Sequence, residues 1–225
     1  MLDQARHGRA RRSGAGHGAP ERRRKGVRGT KSPGLEMTSE VVLDLFRKSG
    51  ALLEGHFTLS SGLHSDKYLQ SALVLQYPEF ATALGESVAA RTRHLGATVV
   101  LSPALGGIVI GQEAGRALGV RAIFAERQDA RLTLRRGFSL SPEDRVLVVE
   151  DVITTGGSTR ETVDVATAAG ATVVGAAAII NRGRNEEKLG LPFYALVNME
   201  VPVFQPETCP LCAKGDPAVK PGSRS

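Results

Sequence analysis

The chain has no tryptophan, and aromatic residues make up only 4% of its 225 positions. Single-stranded nucleic acid is held by stacking bases on aromatic side chains, so that class of binding finds little material here. Cysteine is also scarce, with Cys209 and Cys212 the two copies. Two cysteines cannot knit a disulfide-dense secreted scaffold. No apolar run reaches the roughly 18–20 residues a membrane-crossing helix needs, and no apolar stretch of a secretory signal follows Met1. What is present is ordinary, 41% hydrophobic and 23% charged residues. That is enough for one α/β domain with additions, or for two small domains.

A formal net charge of +6 suggests a polyanionic partner until the charge is located. Residues 1–36 hold ten Lys and Arg against three acids, while residues 37–225 hold nineteen against twenty. The folded part is therefore near neutral, which argues against nucleic acid as its partner. Residues 1–36 are rich in Gly and Arg and poor in large apolar side chains, so a disordered basic tail or a non-native extension is expected there. Met37 is then the expected natural start.

From Thr38 to Lys48, Val41, Val42, Leu45 and Phe46 recur at helical spacing, and Gly50 ends the run. Residues 37–77 read as this helix followed by a small hood of short strands around Ser60-Ser61-Gly62. Residues 78–205 alternate regularly. Helices are expected from Pro78 to about His94, over Gly107–Leu118 and over Ser158–Ala169. Strands are expected at Thr98–Leu101, Arg121–Ala125, Val146–Val149 and Thr172–Ile180, with one or two more in Leu191–Val203. A polar loop is expected from about Gln128 to Ser139, and an irregular tail over 206–225. Strands alternating with helices predict an α/β fold, a mostly parallel twisted sheet flanked by helices. Fully apolar strands such as TVVL and VLVV fit a sheet covered on both faces.

The stretch VLVVEDVITTGGS, Val146–Ser158, concentrates the chemistry. In an open parallel sheet ligands sit at the carboxyl ends of strands, where Glu150 and Asp151 fall. The residues that follow, Val152, Ile153, Thr154, Thr155, Gly156, Gly157 and Ser158, lead into a helix. Small residues let backbone N–H groups approach an anion, hydroxyls add donors, and the helix N-terminus favours negative charge. A phosphate cradle beside two carboxylates suits a ribose 5-phosphate with its two hydroxyls. Rival phosphate loops are missing: the chain has no GxxxxGK[ST], and no GxGxxG follows a strand.

VLVVEDVITTGGS resembles the phosphoribosyl pyrophosphate (PRPP) motif of type I phosphoribosyltransferases. GHFTLSSGLHSDKYL, Gly55–Leu69, resembles the hood motif of the orotate-specific members, and Ser102-Pro-Ala-Leu-Gly-Gly-Ile108 resembles the family's pyrophosphate loop. Together the likeness spans about residues 38–205. It implies transfer of the phosphoribosyl group from PRPP to orotate in pyrimidine biosynthesis, by a cytoplasmic, Mg²⁺-using homodimer. By the same resemblance, Glu150 and Asp151 bind the ribose hydroxyls, directly or through water and Mg²⁺. Val152 to Ser158 bind PRPP, Thr154 to Ser158 holding its 5′-phosphate, with Thr154 also near orotate. Ala104, Gly106 and Gly107 offer backbone groups to pyrophosphate, and Arg127 meets the diphosphate. Arg182, Tyr68 and Leu69 receive orotate, a guanidinium fork matching its carboxylate. Glu150, Asp151 and Arg127 are the expected catalytic residues.

Three departures stand out. The loop QDARLTLRRGFS has neither the Lys nor the His common in the family, Gly106 stands where many members have Lys, and Ser60 where the hood often has Lys. Arg131, Arg135 and Arg136 are the expected closing-loop substitutes. A purine phosphoribosyltransferase, and a PRPP-sensing regulator that binds nucleic acid, are the alternatives. Cys209-Pro-Leu-Cys212 supplies two of the four ligands a structural zinc needs, and no second CxxC pair exists. Two reduced thiols are the expectation, a subunit-bridging zinc the variant. His56 and His64 are expected to pack or to hydrogen-bond, and no direct protein ligand to a metal is assigned.

Overall fold

A computed structural model describes residues 37–59, 61–183 and 189–221. The expectations for residues 1–36 and for Ser60 lie outside these. The main sheet has six strands in the order β5-β4-β3-β6-β7-β8. They are β3 (Val99–Pro103), β4 (Arg121–Gln128), β5 (Arg131–Leu134), β6 (Arg145–Ile153), β7 (Thr172–Asn181) and β8 (Phe193–Asn198). All neighbours are parallel except β4 and β5.

Side chains alternate across a strand, so apolar strands feed two cores. Leu147 and Val149 join one core with Leu84, Val88, Ile110 and Ala114, while Val146 and Val148 join the other with Ala166. The first core is covered by α1 (Ser39–Lys48), α3 (Pro78–Thr92) and α4 (Gly107–Leu118), the second by α5 (Gly157–Ala168). Thr38 caps α1 by accepting from the Val41 N–H, and Val42 and Phe46 turn its apolar face inward. Pro78 starts α3, where its missing N–H costs nothing. A short α2 (Ala72–Leu75) precedes it.

Three features depart from the sequence reading. The expected loop after Gln128 is a hairpin, with β5 folding back antiparallel on β4 across Asp129 and Ala130. Both turn residues have positive φ, 50° and 66°, the geometry of a two-residue hairpin turn. Strand β6 runs on to Ile153, so Glu150 and Asp151 lie inside the strand rather than past its end. Finally, the hood is a three-stranded sheet, β1 (Leu52–Thr58), β2 (His64–Leu69) and β9 (Val203–Phe204), the last contributed from far along the chain. Beyond β9 the chain makes two short 3₁₀ turns, at 206–208 and 212–214, and Val219 then bridges to Phe57.

Candidate active site

Pairing between β6 and β3 stops at Leu101–Val148, whereas pairing with β7 continues to Ile153–Asn181. The last five residues of β6 are thus open on one side, and the Ala104–Gly107 loop occupies that edge. Glu150 and Asp151 are consecutive, so they leave the strand on opposite faces. Glu150 points to the α5 face, where the Thr159 hydroxyl donates to its Oε2 at 2.5 Å. Asp151 points to the α4 face and meets Gly106. A Cβ at position 106 would lie 2.6 Å from Asp151 Oδ1. That contact is a physical reason for glycine here: a side chain fits only if the Asp151 carboxylate or the loop shifts. The Ala104–Leu105 peptide in the same loop is cis.

Both carboxylates are half-buried. Burial pushes Glu150 up to about 7, more than the Thr159 hydrogen bond pulls it down, and the Asp151 charge adds to the rise. Burial also raises Asp151, against the opposing N–H of Val152. The Ser71 hydroxyl, just past β2, lies near enough to lower Asp151 somewhat, although it makes no full hydrogen bond.

Thr154 and Thr155 are exposed between β6 and α5. Gly156 turns the chain with φ 74°, a left-handed conformation that favours glycine, and caps α5. The first-turn N–H groups of α5, Gly157 and Ser158 among them, are left without partners of the helix itself and face the same edge. This arrangement can bind an anion beside two acceptors of sugar hydroxyls.

Arg182 follows β7 directly, and its N–H donates to the Ile153 carbonyl at 2.8 Å. Its buried Nε has no hydrogen-bond partner, and burial lowers its pKa. Nε is thus a buried donor without an acceptor beside the motif strand, a group that could take a carboxylate oxygen. Tyr68 and Leu69 are on β2, Tyr68 tilted against Phe57 with ring centroids 6.0 Å apart and Leu69 packed on the first core.

Arg127 is engaged elsewhere. Its guanidinium forks onto Glu161 of α5 at 2.9 and 3.1 Å and donates to the Ala130 carbonyl. Arg136 forks in the same way onto Glu126 at 2.7 and 2.8 Å, while Arg131 opens β5 and Arg135 follows it. Sequence reasoning did not single out Thr159, Ser71, Glu126 or Glu161. The spacing of Thr159 from Glu150 held no signal without the strand's facing.

The phosphoribosyl transferase domain model matches residues 74–205. Over 189 residues the chain is 53% identical to the orotate phosphoribosyltransferase of Chlorobaculum parvum, covering 84% of this chain and 98% of that one. The chain belongs to the orotate phosphoribosyltransferase family. A second member, from Heliobacterium modesticaldum, is 53% identical over 191 residues, 84% of this chain and all of that one. Among solved structures, the Mycobacterium tuberculosis orotate phosphoribosyltransferase in complex with 5-phospho-α-D-ribosyl 1-diphosphate superposes with a TM-score of 0.60 at 25% identity, covering 72% of this chain and 96% of that one. The sheet flanked by helices is the type I phosphoribosyltransferase fold that the motif implied.

Proposed function

We propose that this orotate phosphoribosyltransferase moves the 5-phosphoribosyl group of PRPP to orotate, giving orotidine 5′-phosphate and pyrophosphate in pyrimidine biosynthesis. One observation carries the reading: the buried, unmatched Arg182 Nε lies beside the same strand end as two carboxylates and a helix N-terminus. A phosphoribosyl donor alone does not call for that arginine, whereas a planar base bearing a carboxylate does.

In this reading the N–H groups and hydroxyls from Thr154 to Ser158 hold the 5′-phosphate, and Glu150 and Asp151 accept from the ribose hydroxyls. Arg182 fixes orotate by its carboxylate, with Thr154, Tyr68 and Leu69 beside the base. The bond from C1 to the pyrophosphate oxygen breaks with its electrons leaving on pyrophosphate, and the base nitrogen bonds to C1 and loses its proton. Backbone groups of Ala104, Gly106 and Gly107 receive the departing diphosphate. Arg127 joins them by exchanging Glu161 for phosphate oxygens. Positioning and charge stabilisation account for most of the acceleration. Arg131, Arg135 and Arg136, on and after β5, supply positive charge as the hairpin closes over the reactants, excluding water that would hydrolyse PRPP.

The donor set suits Mg²⁺. Both carboxylates are raised by burial, Glu150 further by the Asp151 charge, and are hard oxygen ligands in want of positive charge. Glu150 and Asp151 would hold the ion, directly or through water, and when bound it would neutralise charge on the leaving pyrophosphate. A cytoplasmic homodimer belongs to the same reading. Among the described residues no helix is long and apolar enough to cross a membrane.

Orotate consumption followed by ultraviolet absorbance, with PRPP and Mg²⁺, tests the reading. Asp151→Asn is expected to lower kcat/KM by about 100-fold or more. Arg182→Ala is expected to raise the KM for orotate by about 10-fold or more. Turnover of purine bases with none of orotate would reassign the substrate.

A further inference from the structure

Away from that site, four side chains of metal-ligating type converge. His56 is on β1, His64 opens β2, and Cys209 and Cys212 follow β9. One ligand atom from each lies within 4.8 Å of the others. His56 Nε2 is 2.9 Å from His64 Nδ1 and 3.5 Å from Cys209 Sγ. Cys212 Sγ is 3.8 Å from His56 Nε2 and 3.3 Å from His64 Nδ1. We propose that these residues form a structural Cys₂His₂ zinc site that fastens the C-terminal segment to the hood.

The separations fit the ion. Zinc–nitrogen bonds of about 2.0–2.1 Å and zinc–sulfur bonds of about 2.3 Å set tetrahedral edges of roughly 3.3 Å for N···N and 3.6 Å for N···S. The observed N···S values bracket theirs and the N···N value is about 0.4 Å short, so only tenths of an ångström of adjustment are needed. The supporting shell is also present. His56 Nδ1 lies 2.8 Å from the Asp216 carbonyl, so it carries the proton and leaves the Nε2 lone pair aimed at the cluster. A simpler account, in which one histidine merely donates to the other, explains the 2.9 Å contact alone. It gives no reason for two thiols to approach the same two nitrogens.

Thiolate and imidazole donors select zinc over the hard cations Mg²⁺ and Ca²⁺. Four protein ligands complete a tetrahedron and leave no position for water or substrate, so the site is structural rather than catalytic. All four come from one chain, which removes the need for a second subunit to supply the missing pair. His56, His64 and Cys209 are buried and Cys212 is exposed, giving the ion a route in. Binding would displace two thiol protons and fix the segment that Val219 already ties to β1, through its N–H to the His56 carbonyl and its carbonyl to the Thr58 N–H.

The test uses the full chain, purified without a polyhistidine tag under reducing conditions. Elemental analysis is expected to find one zinc per chain. After zinc is stripped, Co²⁺ should produce the intense visible bands of tetrahedral cobalt and a thiolate-to-cobalt charge-transfer band in the near ultraviolet. Cys212→Ser, at the exposed ligand, should weaken Co²⁺ binding by more than the ~10–100-fold that loss of a mere supporting contact costs. Chelation should turn both thiols from protected to reactive. A wild-type chain with no bound zinc and no charge-transfer band on cobalt addition overturns the proposal. So does full thiol reactivity in the presence of excess zinc.

Discussion

Glu150 shows how one residue couples stability to binding. Its folded pKa near 7 exceeds its ordinary value of 4.5. Between those values the folded protein retains a proton that the unfolded chain has released, so this group's contribution to stability declines as pH rises from about 4.5 to 7. Substrate binding follows the opposite course, because the ionised carboxylate is the stronger acceptor from hydroxyls. PRPP affinity is therefore expected to rise with pH through about 7, and Glu150→Gln should remove that limb from a calorimetric pH series. Thr159 stabilises the ionised form, so Thr159→Val should move the limb to higher pH. Gly106→Ala should cost up to ~100-fold in kcat/KM for PRPP, since its Cβ must displace the loop or Asp151. The paired acids, the Thr-Thr-Gly-Gly turn and Arg182 were all legible in the sequence. That Glu150 and Asp151 face opposite sides of the sheet follows from alternation, but only once the strand is known to reach Ile153.

Among the elements, the hairpin was the least legible. Asp129-Ala130 lacks the glycine that usually marks such a turn, and RLTL is too short for alternation to be distinctive. The turn has a cost: alanine at φ 66° is strained by roughly 1–2 kcal/mol. Ala130→Gly is expected to slow amide exchange at Leu132, with little change elsewhere in the sheet. The Arg127–Glu161 fork sits at the same place. If Arg127 exchanges partners when PRPP binds, Glu161→Gln should lower the KM for PRPP, by at most about the fivefold that an exposed pair can oppose. An unchanged or raised KM would remove Arg127 from the diphosphate site. The long helices and central strands, by contrast, were readable because each pairs a clear period with its own start or stop signal. Thr38, Pro78 and Gly50 are examples, the last following α1 with φ 70°.

For the whole molecule, charge is segregated along the chain. Residues 1–36 carry the excess positive charge and the remainder is balanced. A chain beginning at Met37 is expected to keep its kcat and KM while losing retention on a heparin column, a test of whether the basic segment serves catalysis at all. Least visible from sequence was long-range closure. His56 and Cys209 are 153 positions apart, and no local period links them. The third hood strand, pairing Ser65 with Val203, and the Val219 bridge to Phe57 bring the two regions together.

That closure sets an order of manufacture. Every side chain assigned to the phosphate end precedes residue 183, and the parallel sheet is complete at Asn198, yet the hood waits for Val203 and Val219. The region translated first is finished last. A chain cut after Asn198 would keep every strand of the main sheet but leave β1 and β2 without β9 and without the Val219 bridge.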